Sequence, residues 1–341
     1  MTDILIIGAG VAGMAAAEHC AKAGYAPRLI DKASQAGGRC ATRRMDPADD
    51  ADWFDYGAQY FTARDDVFRA MVQDDVDAGR LAYWQPEVAS AERVAGTWLL
   101  TPSPDERERL IGPSGLNRWV RHRLEAAHLS VQGQCRAQAL TAENDGWHIA
   151  FDNGTHEQAR AVLLTPPAIQ SAALLGERAD TIAPLKAADR AMSACHSIVI
   201  QAPAIADVQA IFFKSGCLSW AADNTHKGGY TRDRHLWTLH ADADYSDTHV
   251  ETPTYELADT LIGEFAAATA IDPADIQIVR THCWRYARPA SGAPDEDQIC
   301  WIDADQKLAL AGDWLAGGRI EGAWLSGRQA ARRLIDALDA A

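Results

Sequence analysis

Three glycines spaced as Gly8-Ala9-Gly10-Val11-Ala12-Gly13 stand where the apolar run Ile4-Leu5-Ile6-Ile7 stops, and a second short run ends in an acid, Arg28-Leu29-Ile30-Asp31. This order of residue types suits the binding of a dinucleotide. Gly8 permits a tight turn, Gly10 lets the backbone approach a pyrophosphate, and Gly13 lets the next helix lie close on its strand with its N–H groups facing the phosphate charge. Asp31 stands where an acid would hold the adenosine ribose hydroxyls. A glycine triplet alone is a weak signal, but here the apolar strand, an alanine-rich helix over Met14 to Ala23 and the acid-ended second strand agree with it.

Further stretches carry polar or planar chemistry. The loop Ala36-Gly37-Gly38-Arg39-Cys40-Ala41-Thr42-Arg43-Arg44 can bring guanidinium groups to a diphosphate, or can be a solvated basic loop. In Asp55-Tyr56-Gly57-Ala58-Gln59-Tyr60-Phe61-Thr62 the small residues Gly57 and Ala58 could admit a flat ligand beside Gln59 and the aromatics. Trp284 and Tyr286 lie two apart on a strand-like segment and share a face, with Arg285 on the other and Arg288 following, so they either wall a slot for a planar substrate or belong to the core. His196, His240 and Trp220 are candidates for the same pocket, against the alternative that they are satisfied structural groups. Near the end, Gly312-Asp313-Trp314 and Ala316-Gly317-Gly318-Arg319-Ile320-Glu321-Gly322 close a short apolar strand and enter a helix over Ala323 to Leu338.

The elements that must position these residues follow from periodicity. The 65–109 segment mixes an acidic helix-like stretch, Asp65 to Gly79, with short strand-like pieces and reads as an excursion from the first lobe. Gly112 to Ala127 has helical spacing in Leu116, Trp119, Val120 and Leu124. Strand-like pieces follow at Cys135 to Leu140, Trp147 to Phe151 and Ala161 to Thr165, the last cut off by Pro166-Pro167. From 185 to 285 strands dominate (Ser197 to Gln201, Ala210 to Phe213, His235 to Ala241, Gln277 to Trp284), with one helix from Tyr255 to Ala270. The expected fold is α/β: a Rossmann-like nucleotide lobe from residues 1–64, 110–184 and 286–341, and a substrate lobe with a mainly antiparallel sheet from 65–109 and 185–285.

Composition narrows the function. The chain of 341 residues has 47 acidic against 32 basic residues, a formal net charge of −15, and no basic stripe, so nucleic acid and anionic membrane surfaces are not expected partners. Seven scattered cysteines with no CxxC suggest neither a disulfide framework nor a zinc site, and point to a reducing, cytoplasmic setting. The eleven histidines are dispersed, and neither HExxH nor GxSxG occurs, so no metal centre or serine nucleophile is expected.

Taken together, the glycine turn, the Gly37-Gly38-Arg39 loop and the terminal strand, Gly-Asp and helix resemble the FAD-dependent flavoprotein amine oxidase superfamily. Within it, the stretches 55–64, Thr101-Pro102-Ser103-Pro104-Asp105-Glu106, Trp284-Arg285-Tyr286-Ala287-Arg288-Pro289 and 318–327 are similar to bacterial renalases. The resemblance implies non-covalent FAD with Gly8, Gly10, Ala12 and Gly13 at the pyrophosphate, Asp31 and Lys32 at the adenosine end, Gly38 and Arg39 at the phosphates, Ala137 near the adenine, and Asp313 on the ribityl chain. Tyr56, Gly57 and Ile320 would lie by the flavin, and the helix-opening N–H groups of Gly322 and Ala323 would favour an anionic reduced ring. Ala58, Gln59, Tyr60, Phe61, His196, Trp220, His240, Trp284, Tyr286 and Trp314 are the expected substrate contacts.

The same resemblance implies an oxidase of 2- and 6-dihydro isomers of NAD(P)H, giving NAD(P)+ and, with O2, hydrogen peroxide. No second nucleotide fingerprint exists, so the electron donor should reach the flavin directly. A true amine oxidase is the nearest rival; the few lysines (Lys22, Lys32, Lys186, Lys214, Lys227, Lys307) include no evident partner for the flavin. A flavin-binding redox sensor without turnover is the other.

Overall fold

The opening strand Thr2–Ile7 lies parallel between His156–Leu164 and Arg28–Ile30, with Ile6 opposite Leu163 on one side and Leu29 on the other. Ile4, Leu5 and Ile6 are wholly buried, which is why the run is continuously apolar: a parallel strand covered on both faces has no solvent side to alternate toward. The computed structural model describes residues 1–46, 52–143, 145–186, 192–228, 234–290 and 298–340. Around the opening strand the sheet runs Ala137–Glu143, Gly146–Phe151, His156–Leu164, Thr2–Ile7, Arg28–Ile30, Val131–Gln132. The strand His156–Leu164 divides its other edge. Its first half pairs antiparallel with Gly146–Phe151, and its last three residues pair parallel with Leu308–Leu310. The end of the chain thereby returns beside its beginning.

Helices Val11–Lys22, Leu116–Ala126 and Ile320–Asp339 cover one face of this sheet, burying Met14, Trp119 and Leu334 against Ile4 and Ile6. The first and last of these touch backbone to side: a Cβ at Gly327 would overlap the Ala12 carbonyl. The opposite face carries Leu5, Ile7, Trp147 and Leu164 under the short helix Ala168–Leu175, with Trp314 in the same cluster.

The second sheet has seven strands in the order Gln277–Pro289, Met192–Pro203, Arg234–Ala241, Leu218–Asp223, Ala210–Phe213, Val88–Val94, Thr97–Pro102. Every pairing is antiparallel except Val88–Val94 on Ala210–Phe213, where the 65–109 excursion joins. Alternation decides which way its residues face. Ile198 and Ile200 pack with Leu261 and Phe265 of the helix Ala258–Thr269, whereas Val199 packs with Phe54 of the first lobe. The cross-strand row Ser197, His240, Trp220, Phe212 shares that first-lobe face.

Differences from expectation lie at element ends and in one unannounced strand. The third helix starts at Leu116 because Gly115, at φ +94°, still belongs to the turn before it. The helix expected from Tyr255 opens as a 3-10 turn, Thr254–Leu257, and becomes α-helical at Ala258. Strand Leu218–Asp223 had no signal of its own, because its small interior residues Ala221 and Ala222 carry little strand propensity. Among the described residues no helix is long and apolar enough to cross a membrane.

Candidate active site at the junction of the lobes

The glycine turn is built as a cradle. Gly8 adopts φ +100°, and the Thr165 hydroxyl donates to the carbonyls of Ile7 and Gly8, both at 3.0 Å. A Cβ on Gly13 would overlap the Gly8 carbonyl, so the helix lies on its strand as only glycine permits. Gly38, at φ +55°, faces Gly10 so closely that a Cβ there would stand 3.2 Å from the Gly10 Cα. Two loops thus meet glycine to glycine at the start of the helix Val11–Lys22. Its first helical bond, Met14 N–H to the Gly10 carbonyl, leaves the earlier N–H groups, including that of Ala12, pointing outward.

Asp31 pins this turn. Its Oδ2 accepts from the Ala9 N–H and its Oδ1 from the Ala33 N–H, both at 2.7 Å, leaving further lone pairs on each oxygen for a ribose. Lys32 is exposed beside it, and Ala137 follows the Cys135 N–H that donates to the Asp31 carbonyl at 2.9 Å.

Arg39 reaches out of the second glycine loop to clamp three segments. Its guanidinium pairs in a fork with both carboxylate oxygens of Asp313 and donates to the Ala287 carbonyl at 3.0 Å and the Tyr286 carbonyl at 3.3 Å. The residues expected at the phosphates and the ribityl chain therefore hold one another. Tyr286 enters this arrangement through its carbonyl. Past Asp313 the chain turns into Ile320–Asp339, whose half-buried first residue, Ile320, packs against the first-lobe core. The Ala323 N–H donates to the Arg319 carbonyl at 2.9 Å, so of the expected pair only Gly322 lies ahead of the first helical bond.

Between the lobes is a cavity of about 180 Å³. Arg39, Gly57 and Ala58 line it from the first lobe, and Cys195, Ser219, His240 and Ala241 from the second sheet, with Trp284, Ala287 and Arg288 closing the end. The Trp284 indole N–H donates to the Tyr56 carbonyl at 2.9 Å, and the two rings stack at 5.4 Å and 24°. Gly57 admits no side chain, because a Cβ would overlap the Arg39 carbonyl and stand 3.2 Å from Trp284. His240 Nε2 is buried at this junction, and the ring lies against the Tyr56 backbone. Burial, with the Lys227 charge as a smaller cause, lowers the His240 imidazole to about 4, so the ring is neutral near pH 7.

Ala58, His240 and Trp284 are thus the expected substrate residues that the fold brings together. The others have different neighbours. The buried Gln59 amide donates to the Asp55 carbonyl at 2.6 Å and to the Gly57 carbonyl at 3.1 Å, and its oxygen accepts from Lys227 Nζ at 2.9 Å. Tyr60 packs on Trp220 at 5.5 Å under the Arg109 guanidinium, and Phe61 stacks on Trp119 at 5.1 Å in the first-lobe core. His196 faces away from the junction, with Nδ1 2.8 Å from the Thr254 hydroxyl and Nε2 3.1 Å from the His249 carbonyl. Trp314 is buried in the core beneath the sheet.

Two groups had no prior place in the site. Cys195 lines the cavity together with Ala194, beside a register shift between Ser193 and Cys195 that no sequence pattern announced. Lys227, wholly buried, lies 3.6 Å from the wholly buried Asp55. Burial pushes the Asp55 carboxyl up and the Lys227 ammonium down, and their mutual attraction opposes both shifts.

The chain matches two families: an NAD(P)-binding Rossmann-like domain over residues 6–74, and flavin containing amine oxidoreductase over residues 82–335. Solved structures of similar fold include one from Exiguobacterium sp. 255-15 assigned as a protoporphyrinogen oxidase (TM-score 0.75, 13% identity, 99% of both chains). Cyclohexylamine oxidase from Brevibacterium oxydans IH-35A superposes with a TM-score of 0.72 at 12% identity over 99% of both chains, and a reduced UDP-galactopyranose mutase with 0.70 at 14% over 100% of this chain and 96% of that one. At these identities the likeness is one of fold. Among curated proteins, uncharacterized protein R656 of Acanthamoeba polyphaga mimivirus is 41% identical over 61 residues, which is 17% of this chain and 12% of that protein. With the match extending from the excursion strands to the last helix, the chain belongs to the flavin containing amine oxidoreductase family.

Proposed function

We propose that the protein is an FAD-dependent oxidase of 2- and 6-dihydro isomers of NAD(P)H. The cradle fits the cofactor: Gly8, Gly10, Gly13 and Gly38 leave a slot free of side chains for a pyrophosphate at a helix N-terminus, with Asp31 at the ribose end. Bound FAD would supply a two-electron acceptor that O2 reoxidises, so that dihydro-NAD(P), O2 and one proton give NAD(P)+ and H2O2.

The observation that carries the substrate reading is the character of the cavity wall. It holds a stacked indole, two arginines and a neutral histidine, and among the described residues no carboxylate lines it. Among these described residues an ammonium ion finds no counter-charge, whereas an electron-rich planar ring finds a stacking surface in Trp284. Lys227 is held by Asp55 and Gln59 and does not line the cavity, which removes the buried lysine from the amine-oxidase alternative. Hydride loss from a dihydronicotinamide restores ring aromaticity and needs no protein base. The chain's task is then orientation: Trp284 stacks the ring, and His240 adds an uncharged imidazole to the wall.

Anaerobic stopped-flow mixing tests the proposal. Rapid bleaching of the flavin by 2- or 6-dihydro-NAD(P), and much slower bleaching by ordinary NAD(P)H or amines, is expected. Faster bleaching by an amine would overturn the reading, and inertness toward every reductant would favour a sensor.

A further inference from the structure

Arg280, His282 and Trp284 share one face of the strand Gln277–Pro289, since alternate residues of a strand point the same way. All three meet the ring of Tyr56. The Arg280 guanidinium lies 4.6 Å over its centroid, His282 meets it edge-on at 5.4 Å, and Trp284 stacks on it at 5.4 Å. Trp284 walls the cavity, and the Tyr56 ring links it to Arg280. Arg43 is exposed on the strand Thr42–Arg44, opposite Phe54, which in turn packs edge-on against Tyr56. Burial first, then the charges of Arg280 and Arg43, lower His282 to about 4.

Among the described residues neither arginine is matched by an acid: no carboxylate forms an ion pair with Arg43 or Arg280, and Arg280 Nε is buried without an acceptor. Arg285, on the opposite face of the same strand, is instead held in a fork by both carboxylate oxygens of Glu251, at 2.6 and 2.7 Å. In a chain with 47 acidic and 32 basic residues, acids were not scarce. A half-buried guanidinium kept without a counter-ion costs desolvation energy that an arriving anion recovers.

We propose that Arg280 and Arg43 form an anion subsite at the outer end of the Tyr56–Trp284 wall, which takes the diphosphate of a dinucleotide substrate whose nicotinamide stacks at Trp284. The inference rests on the dihydronicotinamide reading above. In such a substrate a ribose separates the nicotinamide from its first phosphate, and the Tyr56 ring provides the matching offset between Trp284 and the guanidinium. The planar fork of arginine suits phosphate oxygens, and stacking on Tyr56 fixes its plane. Because the subsite reads the diphosphate and not the nicotinamide, it acts on the product NAD+ as well.

The test compares wild type with R280Q, R280K and R43Q. In R280Q the half-saturating concentration of 2- or 6-dihydro-NAD in flavin bleaching should rise about tenfold, and NAD+ affinity by calorimetry should fall by a similar factor, the scale of one lost charge-assisted contact. R43Q should show a smaller loss in the same sense, and R280K should lie between R280Q and wild type. The limiting bleaching rate, and the half-saturating concentration for the dihydronicotinamide riboside, which has no phosphate, should stay at wild-type values. Unchanged NAD+ affinity in R280Q would overturn the subsite, as would equal losses for riboside and dinucleotide, which would mean that Arg280 only props Tyr56. Failure of wild type to be bleached by any dihydronicotinamide would instead overturn the functional reading, and NAD+ affinity in R280Q would still decide the subsite.

Discussion

Asp313 and Arg39 form one pair of charges that holds the fold where the proposed FAD would lie. Their fork ties the second glycine loop to the terminal loop beside the Tyr286 and Ala287 carbonyls. Asp313→Ala removes one half and leaves Arg39 without its acid, so FAD retention on gel filtration should drop, with affinity weakened about tenfold or more. Undiminished affinity would show that the terminal loop does not meet the cofactor. His240 and His282 give a second measurable consequence. Both are lowered from 6.5 to about 4 in the folded chain, so between those values the unfolded chain binds protons that the native one does not. Stability therefore falls as pH falls through that window and changes no further on their account below it. In His240→Gln the slope of unfolding free energy against pH between 6.5 and 4 should be shallower than in wild type; an unchanged slope would place the ring in water. The glycines were legible because only glycine meets their backbone demands, as at Gly8 and Gly13. The run Tyr56 to Phe61 was not. Its residues divide between cavity and core, and composition alone cannot tell Ala58 from Gln59.

Strands and helices were legible wherever burial imposes a period. The opening strand and the amphipathic helices carry their facing residues in their spacing, whereas strand Leu218–Asp223 and the pairing of 88–94 with 210–213 are long-range choices made by packing. Trp284 illustrates the limit: strand parity placed it opposite Arg285, and only the fold shows which face meets Tyr56. Trp284→Ala should slow flavin bleaching about tenfold or raise the half-saturating substrate concentration by as much, while FAD stays bound, because a stacking surface is lost and not the cradle. Loss of flavin or of the cooperative fold would make it a core residue. For the cradle itself, Gly13→Ala should destabilise by at least ~1–3 kcal/mol, since the helix must move off its strand to relieve the overlap with Gly8. Chemical denaturation of the variant measures this.

Across the whole molecule, the two lobes are joined by a buried polar network as well as by the chain. Asp55 and Lys227 are wholly buried, and the Asp55 carboxylate also accepts from the Thr42 hydroxyl and the Leu116 N–H within the first lobe. From the second lobe, Asn224 accepts the Asp55 N–H at 3.1 Å, and the Thr238 hydroxyl donates to the Asp55 carbonyl at 2.6 Å. Breaking such a pair by removing one partner strands a charge in a place without water, which typically costs ~3–5 kcal/mol. Replacing both partners with apolar groups of similar size avoids that penalty. Lys227→Met should therefore lower the denaturation midpoint strongly and separate the unfolding of the lobes into two transitions. The double variant Asp55→Leu with Lys227→Met should recover part of the midpoint without restoring the specific hold between lobes. If Lys227→Met unfolds at the wild-type midpoint, the pair contributes no net stability. If the double variant is as unstable as the single one, the hydrogen bonds around Asp55, and not the buried charge, are what join the lobes.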